Sequence, residues 1–218
     1  MYIQNIQTIS TTLIILFISA TLLYTQDMET IQLPEPQKEG GRPLMEVLQD
    51  RHSSREFSSK ELSLQTMSNL LWAAWGINRP ESGKRTAPSA MNNQEIEIYV
   101  STAEGLYLYN ARAHTLEPVM DQDIRAFTGG QAFVKDAPVN LIYVADYTKM
   151  GDGDKEQKIF YSAADTGFIS QNVYLFCASE GLATVVRGWV DKPALEKKMG
   201  LPPNKKVVLA QTVGYQAK

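Results

Sequence analysis

A single cysteine, Cys177, in 218 residues rules out an intrachain disulfide framework and any zinc cage built on thiolates. With only two histidines, His52 and His114, a histidine-rich metal centre is equally out of reach. Neither sign of charge dominates: 21 Lys and Arg face 24 Asp and Glu, for a net charge of −3. That balance, with no long basic run, gives no reason to expect a nucleic-acid partner. Phosphate-binding and nucleophile motifs are missing too. GKRT (83–86) lacks the first glycine of a P-loop and has Arg85 where a hydroxyl is needed. GDGD (151–154) has neither the third glycine of a dinucleotide fingerprint nor the central Gly and terminal Glu of a calcium loop. No G-x-S-x-G elbow occurs.

Lysine and arginine are also absent from the first 37 residues. Leu13–Leu23 within that block is an apolar run of eleven. A bilayer span takes about 20 residues, so the run suits the core of a signal peptide, with a membrane anchor as the rival reading. Residues 1–25 are therefore expected to be a leader, processed between Thr25 and Gln26, and the protein to be exported or envelope-associated. If the leader is not functional, the expectation is cytoplasmic. Residues 26–41, polar with two prolines and a glycine pair, read as an N-terminal arm. Residues 42–218 form one domain, long enough to bury a sizeable core.

The remaining pattern is mixed. Pro43 opens a short helix, PLMEVLQDR. Ser63 caps a second, LQTMSNLLWAAW, which Gly76 stops. Asn78–Asn93 reads as loop. EIEIYVS (95–101) alternates as a strand and LYLYN (106–110) pairs back across AEG. Asp121–Phe127 reads as a short helix. VNLIYVAD (139–146) is apolar enough for a sheet covered on both faces. Lys155–Glu180 reads as one long helix ended by Gly181, with Ala163, Ala164, Gly167 and Ser170 near one face, where a second helix could approach closely. A strand (ATVVRGW), a helix (DKPALEKKMG) and a closing strand (KKVVLAQTVGY) follow. Helices mixed with hairpins indicate an α+β domain. Trp72 and Trp75 read as core or interface, and Cys177 as a small core residue.

Three segments carry chemistry. RHSSREF (51–57) sets two guanidinium forks and two hydroxyls together, a solvated loop when taken alone but suited to phosphate oxygens. APSAMNNQEIEIYV (87–100) is a loop of small residues and amides running into a strand. GLATVVRGWVD (181–191) ends a strand in Arg187-Gly188-Trp189. In this order, with SNLLWAAWGIN between the first two, they resemble the nitroreductase family of FMN-dependent oxidoreductases over roughly Arg42–Tyr215. DTGFISQNVYLFCASEGLATV is similar to the family's dimer helix.

The resemblance implies a central, mostly antiparallel sheet flanked by helices, and an interlocked homodimer with FMN at its interface. Arg51, His52 and Ser53 would contact the phosphate and ribityl oxygens, and Arg55 the N1/O2 edge of the ring. Pro88, Ser89, Ala90 and Asn92 would come from the partner subunit. The strand end at Arg187 and Gly188 would approach flavin N5, so Gly188 and Arg55 are the expected catalytic positions. The activity implied is hydride transfer from NADH or NADPH to a nitroaromatic or quinone acceptor. A flavin carrier without turnover, or a flavin dehydrogenase acting on peptide heterocycles, is the alternative. Two departures stand out. The basic tail common in the family is missing, leaving Lys218, or Lys205 and Lys206, to complete the phosphate clamp. Glu95 also stands where the family commonly has a proline. Phe127 and Phe133 are candidate lids.

Overall fold

The computed structural model describes residues 28–217. The leader expected over residues 1–25 and the candidate ligand Lys218 lie outside that range. In chain order the elements are β1 (Ile31–Gln32), α1 (Leu44–Asp50), α2 (Leu64–Trp75), β2 (Ile77–Arg79) and β3 (Lys84–Arg85). Next come β4 (Ile96–Ser101), β5 (Leu106–Asn110), β6 (Thr115–Met120) and β7 (Val139–Asp146). The chain closes with α3 (Lys155–Glu180), β8 (Leu182–Arg187), α4 (Lys192–Lys198) and β9 (Lys205–Tyr215). Seven strands make one sheet in the order β1-β6-β5-β4-β7-β9-β8, every pairing antiparallel, while β2 and β3 form a separate hairpin.

Strand β7 lies inside this sheet, between β4 and β9, and is buried along its whole length. Its alternation feeds two cores. Leu141, Tyr143 and Ala145 pack with Leu70 and Leu71 of α2 and with Ile169, Val173 and Cys177 of α3. Ile142 and Val144 face the other way, against Leu195 and Met199 of α4. A strand covered on both faces has no use for polar alternation.

The long helices start and stop where local chemistry dictates. Ser63 Oγ accepts the Thr66 N–H at 3.1 Å to open α2, and Asp154 Oδ1 accepts the Gln157 N–H at 2.8 Å to open α3. Gly181 closes α3 in the left-handed region at φ 67°, returning its N–H to Cys177 O. Asp191 caps α4 through the Ala194 N–H, with Pro193 in the first turn.

Three expectations need correction. Asn78–Asn93 is not all loop, since it holds the β2–β3 hairpin and a tight turn at Ala90–Asn92. Asp121–Phe127 does not form an α-helix; one 3₁₀ turn spans Arg125–Thr128 instead. The sequence reading also missed β6, masked by Pro118. That proline lies beyond the reach of two-residue β1, on an open edge where a strand tolerates a missing N–H.

The arm before α1 is fastened to the fold. Ser68 Oγ donates to Pro34 O at 2.6 Å and lies 2.7 Å from His114 Nε2, whose Nδ1 lies 3.0 Å from the Tyr109 hydroxyl. Ser68 has one proton, so His114 must donate from Nε2; in the neutral ring Nδ1 then accepts from Tyr109. Burial lowers the His114 pKa in the same sense.

Candidate functional site

Beyond α1 the chain runs extended along the edge made by β8 and β9. Ser54 N–H donates to Thr184 O at 3.0 Å, Ser54 Oγ donates to Gln216 Oε1 at 2.9 Å, and Phe57 bridges to Gln216. Alternation along this extended stretch puts Arg51, Ser53 and Arg55 on one side. Arg51 is half-buried with its guanidinium over the Tyr174 ring at 5.2 Å. Ser53 Oγ and the Tyr174 hydroxyl are 2.8 Å apart, and that hydroxyl accepts the Val186 N–H at 2.9 Å. One tyrosine of α3 thus links the RHSSREF lip to β8. His52 and Arg55 are exposed, with His52 Nδ1 2.7 Å from Asp50 O. Among the described residues neither Arg51 nor Arg55 is ion-paired, unlike Arg42, Arg125, Lys149, Lys205 and Lys206. A cavity of about 230 Å³ lies here, between His52, Ser54, Tyr174, Thr184 and Gln216.

The far end of β8 carries Arg187-Gly188-Trp189. Arg187 is buried, and its guanidinium points into the protein rather than out of it. It donates to Thr128 O, and to Asn140 Oδ1 at 2.9 Å, with Phe133 stacked 6.0 Å away. Burial pulls its pKa down to about 10. What this position offers outward is therefore backbone. Gly188 is exposed, and a Cβ added there would meet only Leu209 Cδ2 at an ordinary 3.7 Å. The protein's own packing does not demand glycine at 188, and with no side chain there the backbone is open to whatever approaches this end of β8. Trp189 is 71% exposed and its carbonyl accepts the Gly130 N–H at 3.2 Å. Of the candidate lids, Phe133 is half-buried against Phe57 at 5.3 Å, whereas Phe127 is exposed beneath Lys198.

The 87–94 loop is backbone-strained. Met91, Asn92 and Gln94, none of them glycine, all take positive φ, between 49° and 56°. The loop is held by several bonds at once. Gln94 N–H donates to Ser89 Oγ at 3.0 Å, Arg85 Nε to Gln94 Oε1 at 2.7 Å, and Ala90 N–H to Asp165 Oδ2 at 2.9 Å. Pro88 and Asn92 are exposed; Ser89 and Ala90 are half-buried.

The structure brings RHSSREF and the β8 strand together, but sets the PSAMN loop apart from them within one chain. Ala90 is bonded at Asp165, nine residues before Tyr174, or about 13 Å along the helix axis. Lys205 and Lys206 cannot complete a clamp beside Arg51. They open β9, ten residues or about 33 Å from its Tyr215 end, and are paired with Glu97 and Glu196. Sequence reasoning missed Tyr174, Ser54, Asn140 and Asp165, because their roles arise only when the sheet assembles. Glu95 alone carried a signal, as the replacement of an expected proline.

The nitroreductase family model matches residues 48–215. A crystal structure of an inferred nitroreductase from Ralstonia eutropha JMP134 is 42% identical, with a TM-score of 0.83 over 87% of this chain and 90% of that one. An inferred nitroreductase of Methanocaldococcus jannaschii is 33% identical over 172 residues, 74% of this chain and 85% of its own. The NADPH:FMN oxidoreductase of Vibrio harveyi, solved with NAD+, shares the fold at 21% identity. Its TM-score is 0.62, over 80% of this chain and 69% of that one. With its seven-stranded antiparallel sheet, its helices on both faces and these matches, the chain belongs to the nitroreductase family.

Proposed function

We propose that this protein is an FMN-dependent oxidoreductase that works as a homodimer, with each flavin site built by two chains. The observation that carries this is the edge of β8. At one end are a hydroxyl and two cations with no acid partner among the described residues; at the other is a glycine that the protein's own packing does not require. Thr184, which Ser54 faces, and Gly188 are four residues apart, about 13 Å along the strand. That suits a ligand with an anionic tail and a flat ring.

Bound FMN would supply the redox chemistry, accepting and giving hydride at N5. The chain's own part is to bind and position. Arg51 and Ser53 would hold the phosphate, braced by Tyr174, with His52 beside them. Arg55 would set a fixed positive charge near the N1/O2 edge, an electrostatic role that needs no proton transfer. Gly188 would let the backbone approach where a side chain would intervene. Arg187 would serve the cofactor indirectly, by fastening the backbone that carries Gly188.

A second copy is favoured by apolar surface left open on one chain. Met45 is 75% exposed, Phe160 67%, Phe168 50% and Met91 77%. Ala163 and Gly167 are exposed beside Phe160 and Phe168 on α3. The PSAMN loop, remote from RHSSREF within one chain, would reach it from the partner. A nicotinamide donor is supported by the Vibrio harveyi relative, an NADPH:FMN oxidoreductase solved with NAD+; a ping-pong cycle with a nitroaromatic or quinone acceptor completes the proposed reading. The leader over residues 1–25 belongs to this reading as an export signal or anchor, to be checked by N-terminal sequencing of the mature protein.

The test is purification followed by anaerobic titration with NADH and NADPH. Yellow protein that bleaches supports the enzyme. Yellow protein that no nicotinamide bleaches favours a carrier or another donor, and protein that neither holds nor takes up FMN refutes the proposal. Arg51→Ala is expected to weaken FMN retention, and Arg55→Ala to make the flavin harder to reduce.

A further inference from the structure

Glu95 joins the strained loop to β4. Its side chain is wholly buried and neither carboxyl oxygen has a hydrogen-bond donor. It lies within hydrogen-bonding reach of a second carboxyl, Asp165 of α3, itself only 2% exposed. Asp165 in turn accepts the Ala90 N–H at 2.9 Å. No cation among the described residues neutralises two charges there. Lys149, in the turn after β7, is the cation that faces Glu95, but its Nζ is bound to Glu97 at 3.2 Å and is partly solvated. From the end of β7, Asp146 gives its backbone N–H to the Glu95 carbonyl at 2.9 Å, and its carboxylate is taken by Thr148 and Asn204.

Two buried carboxyls side by side cannot both ionise without large repulsion. One retained proton turns the carboxyl–carboxyl contact from repulsive to bonding. Glu95 O–H donates to Asp165, and Asp165 keeps an oxygen for Ala90. Ala90 already occupies one Asp165 oxygen, whereas both Glu95 oxygens are without a partner, so the proton is assigned to Glu95. Burial, with the Asp165 charge adding to it, raises Glu95 to about 7.

We propose that Glu95 and Asp165 share one proton and act as positioning residues for the 88–94 loop, fastening it when the proton is present and loosening it when the proton leaves. The strained residues Met91, Asn92 and Gln94 make the device effective, because such backbone persists only where its surroundings over-determine it. The consequence for cofactor binding rests on the flavin reading; the fastening itself is internal to the chain.

The experiment is hydrogen exchange of residues 88–94 in the full chain at pH 5.5 and 8.5, corrected for intrinsic rates, with and without added FMN. In the native protein, protection at Ala90 is expected to fall about tenfold between the two pH values. In Glu95→Gln an amide donates to Asp165 without titrating, so protection should stay high at both. Flat protection in the native protein overturns the proposal, and so does an equal fall in Glu95→Gln. If the flavin reading also holds, FMN affinity weakens about tenfold over the same interval in the native protein but not in Glu95→Gln. A pH-dependent loop in protein that takes up no FMN supports the shared proton while sinking the flavin site.

Discussion

Removing the Arg187 side chain and adding a methyl at Gly129 should each destabilise the fold, yet the two together should be milder than their sum. In Arg187→Ala, Thr128 O loses the guanidinium donor and Asn140 Oδ1 keeps only the Thr212 hydroxyl. Bonds from a charged donor contribute about 1.5–3 kcal/mol each. Against that stands the relief of no longer burying a guanidinium whose pKa burial has pulled down to about 10, about 3 kcal/mol. Loss of stem packing against Phe133 adds about 1–2 kcal/mol, so the net destabilisation is about 3 kcal/mol. Gly129 has extended backbone (φ 173°) that any residue adopts, but its Cβ would fall 1.9 Å from Arg187 Nη1. Gly129→Ala must displace the guanidinium or the loop, at about 2 kcal/mol. With the arginine gone the clash disappears. Urea unfolding of the four proteins, followed by tryptophan fluorescence at one fixed concentration, measures the coupling, expected at 1 kcal/mol or more, a rough figure. Additivity within about 0.5 kcal/mol would refute the idea that Arg187 anchors this loop by direct contact.

Glu95→Gln should also alter stability with pH. A folded-state pKa raised from 4.5 to about 7 means stability is full below pH 4.5 and lost as pH rises through 7. The variant should gain on the native protein across that window, to about 3 kcal/mol, then run parallel above it; thermal melts from pH 4 to 9 check this. Ser68→Ala leaves Pro34 O and His114 without their partner, so it should lose about 1–3 kcal/mol and expose residues 31–38 to limited proteolysis. Cys177 is buried with its thiol pKa pushed up, so a maleimide should label it only at the rate of unfolding, and fast labelling in native buffer would contradict that burial.

Legibility followed the range of the determining interaction. The caps at Ser63 and Gly181 and the span of α3 were readable because they depend on residues within one turn. β7 was readable because burial on both faces leaves no polar alternation to find. Pro118 hid β6, since its tolerance depends on how short β1 is. β1 itself is two residues whose strand character comes from pairing with Leu116 and Thr115. The same divide runs through the site. RHSSREF and the Gly188 strand end carry their chemistry in sequence. By contrast, Arg187 read as a ligand until its partners, 47 and 59 residues away, turned it inward. Tyr174 and Asp165 looked like ordinary positions on a helix because only the neighbouring segments give them work.

The strand order has a practical consequence for handling the protein. Whatever is joined ahead of Met28 enters beside β1, and β8 lies at the opposite border, six spacings or about 29 Å across the sheet. An affinity handle or a surface linkage placed at that entry leaves the Gly188 border open to small molecules in solution. The same linkage placed after Ala217 would crowd the other end of β8, because the Ala217 N–H is bonded to Glu56 O within the RHSSREF lip and Tyr215 pairs with Leu182.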